Sequence, residues 1–248
     1  MLIFSHRGNG FGLKENTLHA FQKALISGFS VEIDIQKTLD DQLVIYHDLN
    51  LKKINKIDKN LKELSFKELK GRAPSFDDFC KLFKKYKLEG QLVALHIKDE
   101  NQGHILELLV NCIQKYNIEK DCLIFDLTLE GTKKIKKLEP KISIGLSIGE
   151  KRYSKTIYLW EDVKDFKKFD IVWWDEWESG LYTKQNAEAI KATDKKIFAI
   201  SPELHRLHAH PNGADLKGIF SVWEKIVLFN IEGICTDFPL KFRDFLNI

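Results

Sequence analysis

Short apolar runs rich in Ile and Val recur along the chain, and amphipathic stretches separate them. The runs are continuous rather than alternating, which is typical of parallel strands that are covered on both faces. They predict eight strands: Leu2–Ser5, Val31–Gln36, Leu92–Ile97, Cys122–Asp126, Ile142–Leu146, Asp170–Trp174, Lys196–Ile200 and Gly233–Thr236. Eight strands in 248 residues give about 31 residues per unit, the length of a strand followed by a helix.

The stretches between these runs predict helices, which include Glu15–Ser27, Phe76–Tyr86, His104–Tyr116, Leu129–Leu138 and Ala187–Thr193. Two of their starts carry capping signals. Asn16 and Thr17 precede the apolar positions of the first helix, and Ser75 stands three residues before Asp78, which is the spacing of a capping box.

Together these patterns predict an α/β fold, a single (β/α)8 barrel of the TIM type, which typically needs about 250 residues. The stretch Leu43–Glu68 interrupts the rhythm with a short strand at Leu43–Tyr46 and then a polar segment. We interpret it as a small insertion after the second barrel strand, approximately residues 43–70. No linker rich in Pro, Gly or Ser divides the chain, so we expect one domain over residues 1–248.

Composition excludes several classes of protein. Apolar residues make up 44% of the chain, enough for a large core and too many for a disordered chain. A net charge of +3 argues against a nucleic-acid partner, and no run approaches the roughly 18 apolar residues of a membrane span. The start lacks the features of a signal peptide, and the four cysteines show no C-x-x-C spacing. We expect a cytoplasmic protein with no membrane insertion; the oligomeric state stays open.

Polar residues gather where the predicted strands end, which is the position of the active site in such barrels. Glu32 and Asp34 lie two apart on the second strand and therefore share a face. Facing inward, the two carboxylates would repel each other, and a divalent cation bound by their oxygens would remove that repulsion. Facing outward, they would be ordinary surface acids. The pattern allows both orientations.

Two histidines are candidates for proton transfer, because imidazole titrates near neutrality. His6 ends the first strand beside Arg7, whose guanidinium suits phosphate, and His47 precedes Asp48 after the short strand. A hydrogen-bonded structural role is the alternative for each ring. Later strand ends carry further polar groups: His96, Lys98, Asp126, Asp175, Glu176, Glu203, His205 and Asp237.

Two other patterns allow a functional and a structural interpretation. His205, His208 and His210 form an H-x-x-H-x-H sequence, which is either a metal site or a polar loop over the active site. Trp174 and Trp177 either stack on an organic headgroup or pack in the core.

In order and spacing, these residues resemble the signature of the glycerophosphodiester phosphodiesterase family. The matching segments are His6-Arg7-Gly8, Glu15-Asn16-Thr17, Ala20-Phe21, Glu32-Ile33-Asp34, Leu43-Val44, His47-Asp48 and the closing Gly233–Pro239. The match is dense over residues 3–48 and loose in the middle of the chain, which resembles a divergent bacterial branch of the family.

The resemblance implies a TIM barrel that hydrolyses a small phosphodiester to an alcohol and a phosphomonoester, with a role in lipid or glycerol metabolism. His6 and His47 would be the acid/base pair, and Glu32 and Asp34 would be metal ligands. The substrate-binding residues would be Arg7, Glu15, Asn16, Lys98, Glu203 and His205. In the usual mechanism of this family, the neighbouring glycerol hydroxyl attacks phosphorus, and water then opens the cyclic phosphate.

The third strand departs from the family. Members commonly carry an E-x-K pair there, whose Glu is a metal ligand, and this chain has His96-Ile97-Lys98. We expect His96 to be the third ligand, with hydrogen bonding to the substrate phosphate as the alternative. Asp126 and Glu203 are alternatives for the missing carboxylate. Mg²⁺ or Ca²⁺ remains the first expectation for the ion, and a histidine ligand also suits Mn²⁺, Co²⁺ or Zn²⁺.

Two competing functions follow from the same residues. A phospholipase acting on a lipid headgroup would share the chemistry, but the balanced charge argues against a membrane substrate. An inactive barrel that binds a phosphorylated ligand would explain the change at position 96. Retention of both histidines and both acids of the second strand argues against inactivity.

Overall fold

A computed structural model describes residues 1–52, 58–69 and 71–247. Its strands are β1 (Leu2–His6), β2 (Ser30–Lys37), β3 (Leu43–Ile45), β4 (Val93–Ile97), β5 (Cys122–Phe125), β6 (Ser143–Ile148), β7 (Ile157–Tyr158), β8 (Ile171–Trp174), β9 (Lys196–Ile200) and β10 (Gly233–Thr236). Its helices are α1 (Leu18–Ile26), α2 (Phe76–Tyr86), α3 (Ile105–Tyr116), α4 (Leu129–Leu138), α5 (Trp160–Val163), α6 (Lys184–Lys191), α7 (Leu216–Leu228) and α8 (Pro239–Leu246).

Among the described residues, eight parallel strands close into a barrel with helices between them. The ring runs β1, β2, β4, β5, β6, β8, β9, β10, and it closes because β1 pairs with both β10 and β2. All eight predicted barrel strands are present, with ends that differ by at most two residues. The TIM-type barrel is therefore confirmed.

The helix predictions differ mainly at their starts. Helix α1 begins three residues later than predicted, at Leu18, because Thr17 caps it by accepting a hydrogen bond from the Ala20 N–H. Helix α6, predicted at Ala187–Thr193, is present but begins three residues earlier, at Lys184, where Thr183 supplies the cap, and ends two residues earlier, at Lys191. The first turn of this helix is polar, so the apolar pattern of the sequence does not indicate where the helix begins. At α2, Ser75 accepts a hydrogen bond from the Asp78 N–H as predicted.

The insertion after the second barrel strand is also present. Strand β3 turns back antiparallel to β2, with Ile45 opposite Ile35, and thereby delivers the following residues to the rim of the barrel. A small separate cluster of buried residues, on β3 and in the segment that follows it, includes Val44, Leu51 and Leu61. Residues 53–57 and 70, which belong to the predicted insertion, lie outside the described residues.

Apolar side chains fill the interior of the barrel, and polar side chains lie at its mouth. Phe4, Ala94 and Trp173 point inward in one cluster. Because side chains on a strand alternate, His6 and His96 face the same interior two residues further on, at the carboxyl ends of β1 and β4. No helix among the described residues has the length and apolar character needed to cross a membrane.

Candidate active site

A cavity of about 420 Å³ opens at the carboxyl ends of the barrel strands. Seven of the predicted site residues line it: His6, Arg7, Glu32, His47, His96, Lys98 and His205. The other four, Glu15, Asn16, Asp34 and Glu203, do not line it, and their contacts are described below.

The two acids of β2 face the barrel interior. Asp34 lies opposite His96 on β4, and the side chains of Glu32 and Asp34 are 2% and 0% exposed. One oxygen of each carboxylate is held: Glu32 Oε2 accepts from the Arg7 backbone N–H, and Asp34 Oδ2 accepts from Asn16 Nδ2 at 2.9 Å. The other two, Glu32 Oε1 and Asp34 Oδ1, accept no hydrogen bond from any described residue. The structure thus selects the inward orientation.

His96 brings a nitrogen to these two oxygens. Its Nδ1 lies 3.2 Å from Asp34 Oδ1 and 3.8 Å from Glu32 Oε1, and its Nε2 lies 2.8 Å from Asp126 Oδ2. One ligand atom from each of Glu32, Asp34 and His96 can be chosen so that all lie within 4.8 Å of one another. Buried polar atoms normally have partners, so two carboxylate oxygens without one beside an imidazole nitrogen fit a divalent cation.

The charges in this group perturb one another strongly. Burial and the neighbouring charge of Asp34 raise the pKa of Glu32. Burial also opposes ionisation of Asp34, but His96, Lys98 and Arg7 lower its pKa well below the ordinary range. Burial and Lys98 lower the pKa of His96, but the Asp126 and Asp34 carboxylates outweigh them and raise it to about 9. This part of the cavity therefore contains closely spaced positive and negative charges and is not a neutral pocket.

The two candidate proton-transfer histidines have a similar arrangement. His6 Nδ1 lies 2.8 Å from Asp237 Oδ1, and its Nε2 is turned toward Glu32. His47 Nδ1 lies 2.7 Å from Asp48 Oδ1. In each case a carboxylate beside Nδ1 favours the tautomer that leaves Nε2 as the proton-accepting nitrogen.

Their pKa values shift in opposite directions. Burial and the charge of Arg7 lower the pKa of His6, but the Asp237 and Glu32 carboxylates together outweigh them, so that the net shift is upward. Burial lowers the pKa of His47 to about 4, although Asp34 opposes the shift. Two titratable groups with pKa values pushed apart are typical of an acid/base pair.

Arg7 connects the first strand to the acids. Its Nε lies 3.1 Å from Asp34 Oδ2, and its Nη1 donates to Glu15 Oε1 at 3.1 Å. Glu15 and Asn16 therefore contact Arg7 and Asp34, so the structure gives them partners that orient charged groups around the cavity.

The opposite side of the cavity is aromatic. Trp177 stacks between Tyr153 and His205, with ring centroids 4.7 Å and 4.2 Å away, and we call these three residues the aromatic wall. Asp175 holds two of them, because its Oδ2 accepts from Trp177 Nε1 at 2.9 Å and its Oδ1 contacts His205 Nε2. The Asp175 carboxylate thus links Trp177 and His205, two members of the aromatic wall.

Glu203 does not reach the cavity. It is 1% exposed, and its carboxylate accepts from the hydroxyls of Ser201 and Thr236 and, at 3.0 Å, from the Asp237 backbone N–H. These contacts position Asp237 beside His6, and they place Glu203 among structural rather than substrate-facing residues.

The H-x-x-H-x-H residues do not converge. His205 and His208 line the cavity, whereas His210 is buried with its Nε2 3.6 Å from Glu176 Oε1. Trp174 packs in the core against Tyr182, so a place near the substrate is wrong for it.

Sequence reasoning noted Asp126 and Asp237 at strand ends but assigned neither of them to a histidine, and it missed Tyr153. The ends of neighbouring strands lie together in a barrel, which was the available signal for the two acids. Tyr153 lies in a loop between β6 and β7, where no periodic pattern exists.

Comparison with known proteins identifies the family. The sequence profile of the glycerophosphoryl diester phosphodiesterase family matches residues 6–241. The chain belongs to this family.

One relative is the glycerophosphodiester phosphodiesterase of Caldanaerobacter subterraneus subsp. tengcongensis, 28% identical over 162 residues, which are 58% of this chain and 65% of that protein. The match thus spans less than two thirds of that relative's length.

Solved structures share the fold across the whole chain. The glycerophosphodiester phosphodiesterase of Agrobacterium tumefaciens superposes with a TM-score of 0.74 at 16% identity, covering 100% of both chains. A phosphodiesterase from Oleispira antarctica, solved in complex with the product sn-glycerol-3-phosphate, superposes with a TM-score of 0.73 at 19% identity, covering 100% of this chain and 97% of the other.

In this member of the glycerophosphoryl diester phosphodiesterase family, His96 and Lys98 come from the carboxyl end of β4 and the residue that follows it. Lys98 Nζ lies 3.6 Å from Asp34 Oδ1, and His96 lies opposite Asp34 in the pairing of β2 with β4. Neither alternative acid, Asp126 or Glu203, belongs to the group of potential ligands. Asp126 instead contacts the far nitrogen of His96.

Proposed function

We propose that this chain is a metal-dependent phosphodiesterase that hydrolyses a glycerophosphodiester to an alcohol and glycerol phosphate. The observation that carries the proposal is a pair of buried oxygens, Glu32 Oε1 and Asp34 Oδ1, which lie beside His96 and accept no hydrogen bond from the residues that the structure describes. His6 and Arg7 line the same cavity. Family membership and the sn-glycerol-3-phosphate product bound in the Oleispira antarctica structure support the substrate class.

Glu32, Asp34 and His96 would hold a divalent ion, which supplies positive charge to the phosphate. One of the two histidines, His6 and His47, takes the proton of the glycerol hydroxyl next to the phosphate as that oxygen bonds to phosphorus. The other gives a proton to the leaving alcohol oxygen as its bond to phosphorus breaks. Water then opens the cyclic phosphate through the same two groups with their roles exchanged.

Arg7 and Lys98 provide fixed positive charge at the cavity. The Arg7 guanidinium is buried among the carboxylates of Asp34 and Glu15, which raise its pKa although burial lowers it. A cation held in this way can neutralise part of the phosphate charge without moving.

The wider setting belongs to the same proposal. We infer a small-molecule substrate, a single domain over residues 1–248, and a cytoplasmic protein of lipid or glycerol metabolism with no nucleic-acid partner and no membrane insertion. The carboxylates favour Mg²⁺ or Ca²⁺, and the His96 nitrogen favours Mn²⁺, Co²⁺ or Zn²⁺.

Phosphorus NMR of a glycerophosphodiester incubated with the protein and each metal tests the proposal. We expect glycerol phosphate as the product, and no turnover of a matched diester that lacks the neighbouring hydroxyl, because that hydroxyl is the attacking group. Binding of the diester without turnover in any metal would contradict the proposal and favour the inactive barrel. Turnover confined to a lysophospholipid would favour the phospholipase.

A further inference from the structure

We propose that Asp126 and His96 form a carboxylate–histidine–metal relay that makes this site prefer Mn²⁺, Co²⁺ or Zn²⁺ over Mg²⁺ and Ca²⁺. The inference rests on the proposed function, because it concerns the ion of that same site. It assigns Asp126 the role of a positioning residue and gives a physical reason for the replacement of a carboxylate by a histidine.

Two contacts hold the His96 ring in one orientation. Its Nε2 lies 2.8 Å from Asp126 Oδ2, and the ring stacks on Phe125 with centroids 4.9 Å apart and planes 26° apart. Asp126 is itself held, because its Oδ1 accepts a hydrogen bond from the Ser147 hydroxyl at 2.6 Å. With both oxygens engaged, Asp126 acts on the ring and is not left free to be a ligand.

This arrangement sets which nitrogen meets the ion. When Nε2 carries the hydrogen donated to Asp126, the lone pair is on Nδ1, the nitrogen that faces Asp34 Oδ1 at 3.2 Å and Glu32 Oε1 at 3.8 Å. Ligand atoms about 2.1 Å from one ion lie about 3 Å apart, so these separations suit ligands of a common cation. Metal-binding histidines commonly donate their second N–H to a carboxylate in this way.

The donor set then determines the preference among ions. Replacing a carboxylate by a neutral imidazole removes one negative charge and one hard oxygen ligand. Mg²⁺ and Ca²⁺ depend on such oxygens, whereas Mn²⁺, Co²⁺ and Zn²⁺ accept imidazole nitrogen readily. Two carboxylate oxygens and an oriented nitrogen therefore favour the second group.

The opposite side of the cavity provides a matched control. Asp175 contacts His205 Nε2 as Asp126 contacts His96, but its other oxygen accepts from Trp177 Nε1. No buried carboxylate oxygen without a donor has been found beside His205 among the described residues. Asp175→Asn thus alters the same chemistry in the same cavity without touching the ion.

Calorimetric titration of Mn²⁺ and Mg²⁺ separately into the wild type and four variants tests the relay. We expect Mn²⁺ to bind the wild type more than tenfold tighter than Mg²⁺. Asp126→Asn should weaken Mn²⁺ binding by about 10- to 100-fold, and Ser147→Ala should weaken it less. His96→Glu should tighten Mg²⁺ binding and narrow the difference between the ions, whereas Asp175→Asn should change neither affinity.

Pulsed electron paramagnetic resonance of the Mn²⁺-loaded protein gives a readout that does not depend on activity. We expect ¹⁴N coupling from one imidazole, lost in His96→Glu and retained in Asp175→Asn. Bound Mn²⁺ without this coupling, or an unchanged Mn²⁺ to Mg²⁺ ratio in both Asp126→Asn and Ser147→Ala, would overturn the relay and leave the proposed function standing. Nitrogen coupling in a protein that hydrolyses no diester would contradict only the proposed function.

Discussion

The two sides of the cavity differ in where their side chains come from. The charged side consists of residues borne on β1, β2 and β4, among them His6, Asp34 and His96, whose directions follow from the alternation of the strands. The aromatic wall comes from segments that follow β6, β8 and β9. Strand positions are held by neighbours on both sides, whereas loop positions are free to differ. We therefore expect the charged side to perform the chemistry and the aromatic wall to contact the alcohol half of the substrate.

Histidine–carboxylate pairs occur on both sides of the cavity, and the two pairs differ in their surroundings. On the charged side, the second nitrogen of His96 faces two carboxylate oxygens that accept no hydrogen bond from the part of the chain that the structure describes. At the aromatic wall, Asp175 is shared between His205 and Trp177, so the pair holds a surface together. The same two residue types thus hold an aromatic stack in one place and, under the proposed function, would orient a metal ligand in the other.

Of the substitutions considered, removal of a β2 acid should have the largest effect, and this effect should be on metal binding. Asp34→Ala and Glu32→Ala should each weaken divalent-metal binding by more than about 100-fold, because a direct ligand is lost and outer partners alone are worth about 10- to 100-fold. Calorimetry measures the affinity, and circular dichroism checks the fold. Metal binding that is unchanged in both variants would show that the acids are not ligands.

Loss of either proton-transfer histidine should have the next largest effect. His6→Ala and His47→Ala should each lower kcat by about 10²- to 10⁴-fold, the usual cost of removing a positioned acid or base. His19, exposed on α1, is the matched control, and His19→Ala should turn over normally. A His47→Ala enzyme with wild-type turnover would make that residue structural.

Substitutions in the aromatic wall should act on substrate binding instead. Trp177→Ala should raise KM by about fivefold with metal affinity unchanged, since an aromatic contact is worth about 1 kcal/mol. Trp177→Phe, which keeps the ring but loses the bond to Asp175, should have a smaller effect. A lower metal affinity in either variant, or an unchanged KM in Trp177→Ala, would contradict the division between the two sides.

We expect the smallest effect on the free energy of unfolding of the metal-free protein, when His96 is replaced. Because the carboxylates raise the pKa of His96 to about 9, the stability it contributes is present below about pH 6.5 and is lost as the pH rises through 9. Urea unfolding in EDTA at pH 6 and pH 9.5 should therefore show a larger difference between wild type and His96→Gln at the lower pH. An equal difference at both values would mean that the ring is not charged in the metal-free protein.

The barrel could be predicted because its strands repeat a simple pattern of continuous apolar runs separated by helical stretches. The direction of Glu32 and Asp34 could not be predicted, since β2 is covered on both faces and the apolar residues between them suit either side equally. The structure resolves this through register, with Asp34 opposite His96.

Other positions depended on folding beyond a single element. Glu203 follows β9 and was expected to face the substrate, but the 3-10 segment Pro202–His208 carries its carboxylate toward Ser201 and Thr236. The aromatic wall combines residues from three separate segments of the chain, so no local sequence pattern predicts it.

The most direct test of the account is glycerol phosphate release from a glycerophosphodiester in EDTA, followed by addition of Mn²⁺ or Mg²⁺. We predict that EDTA abolishes release, that the metal restores it in the wild type, and that it does not restore it in Asp34→Ala. Release that continues undiminished in EDTA would contradict the central claim, because the carboxylates and His96 would then have no ion to hold.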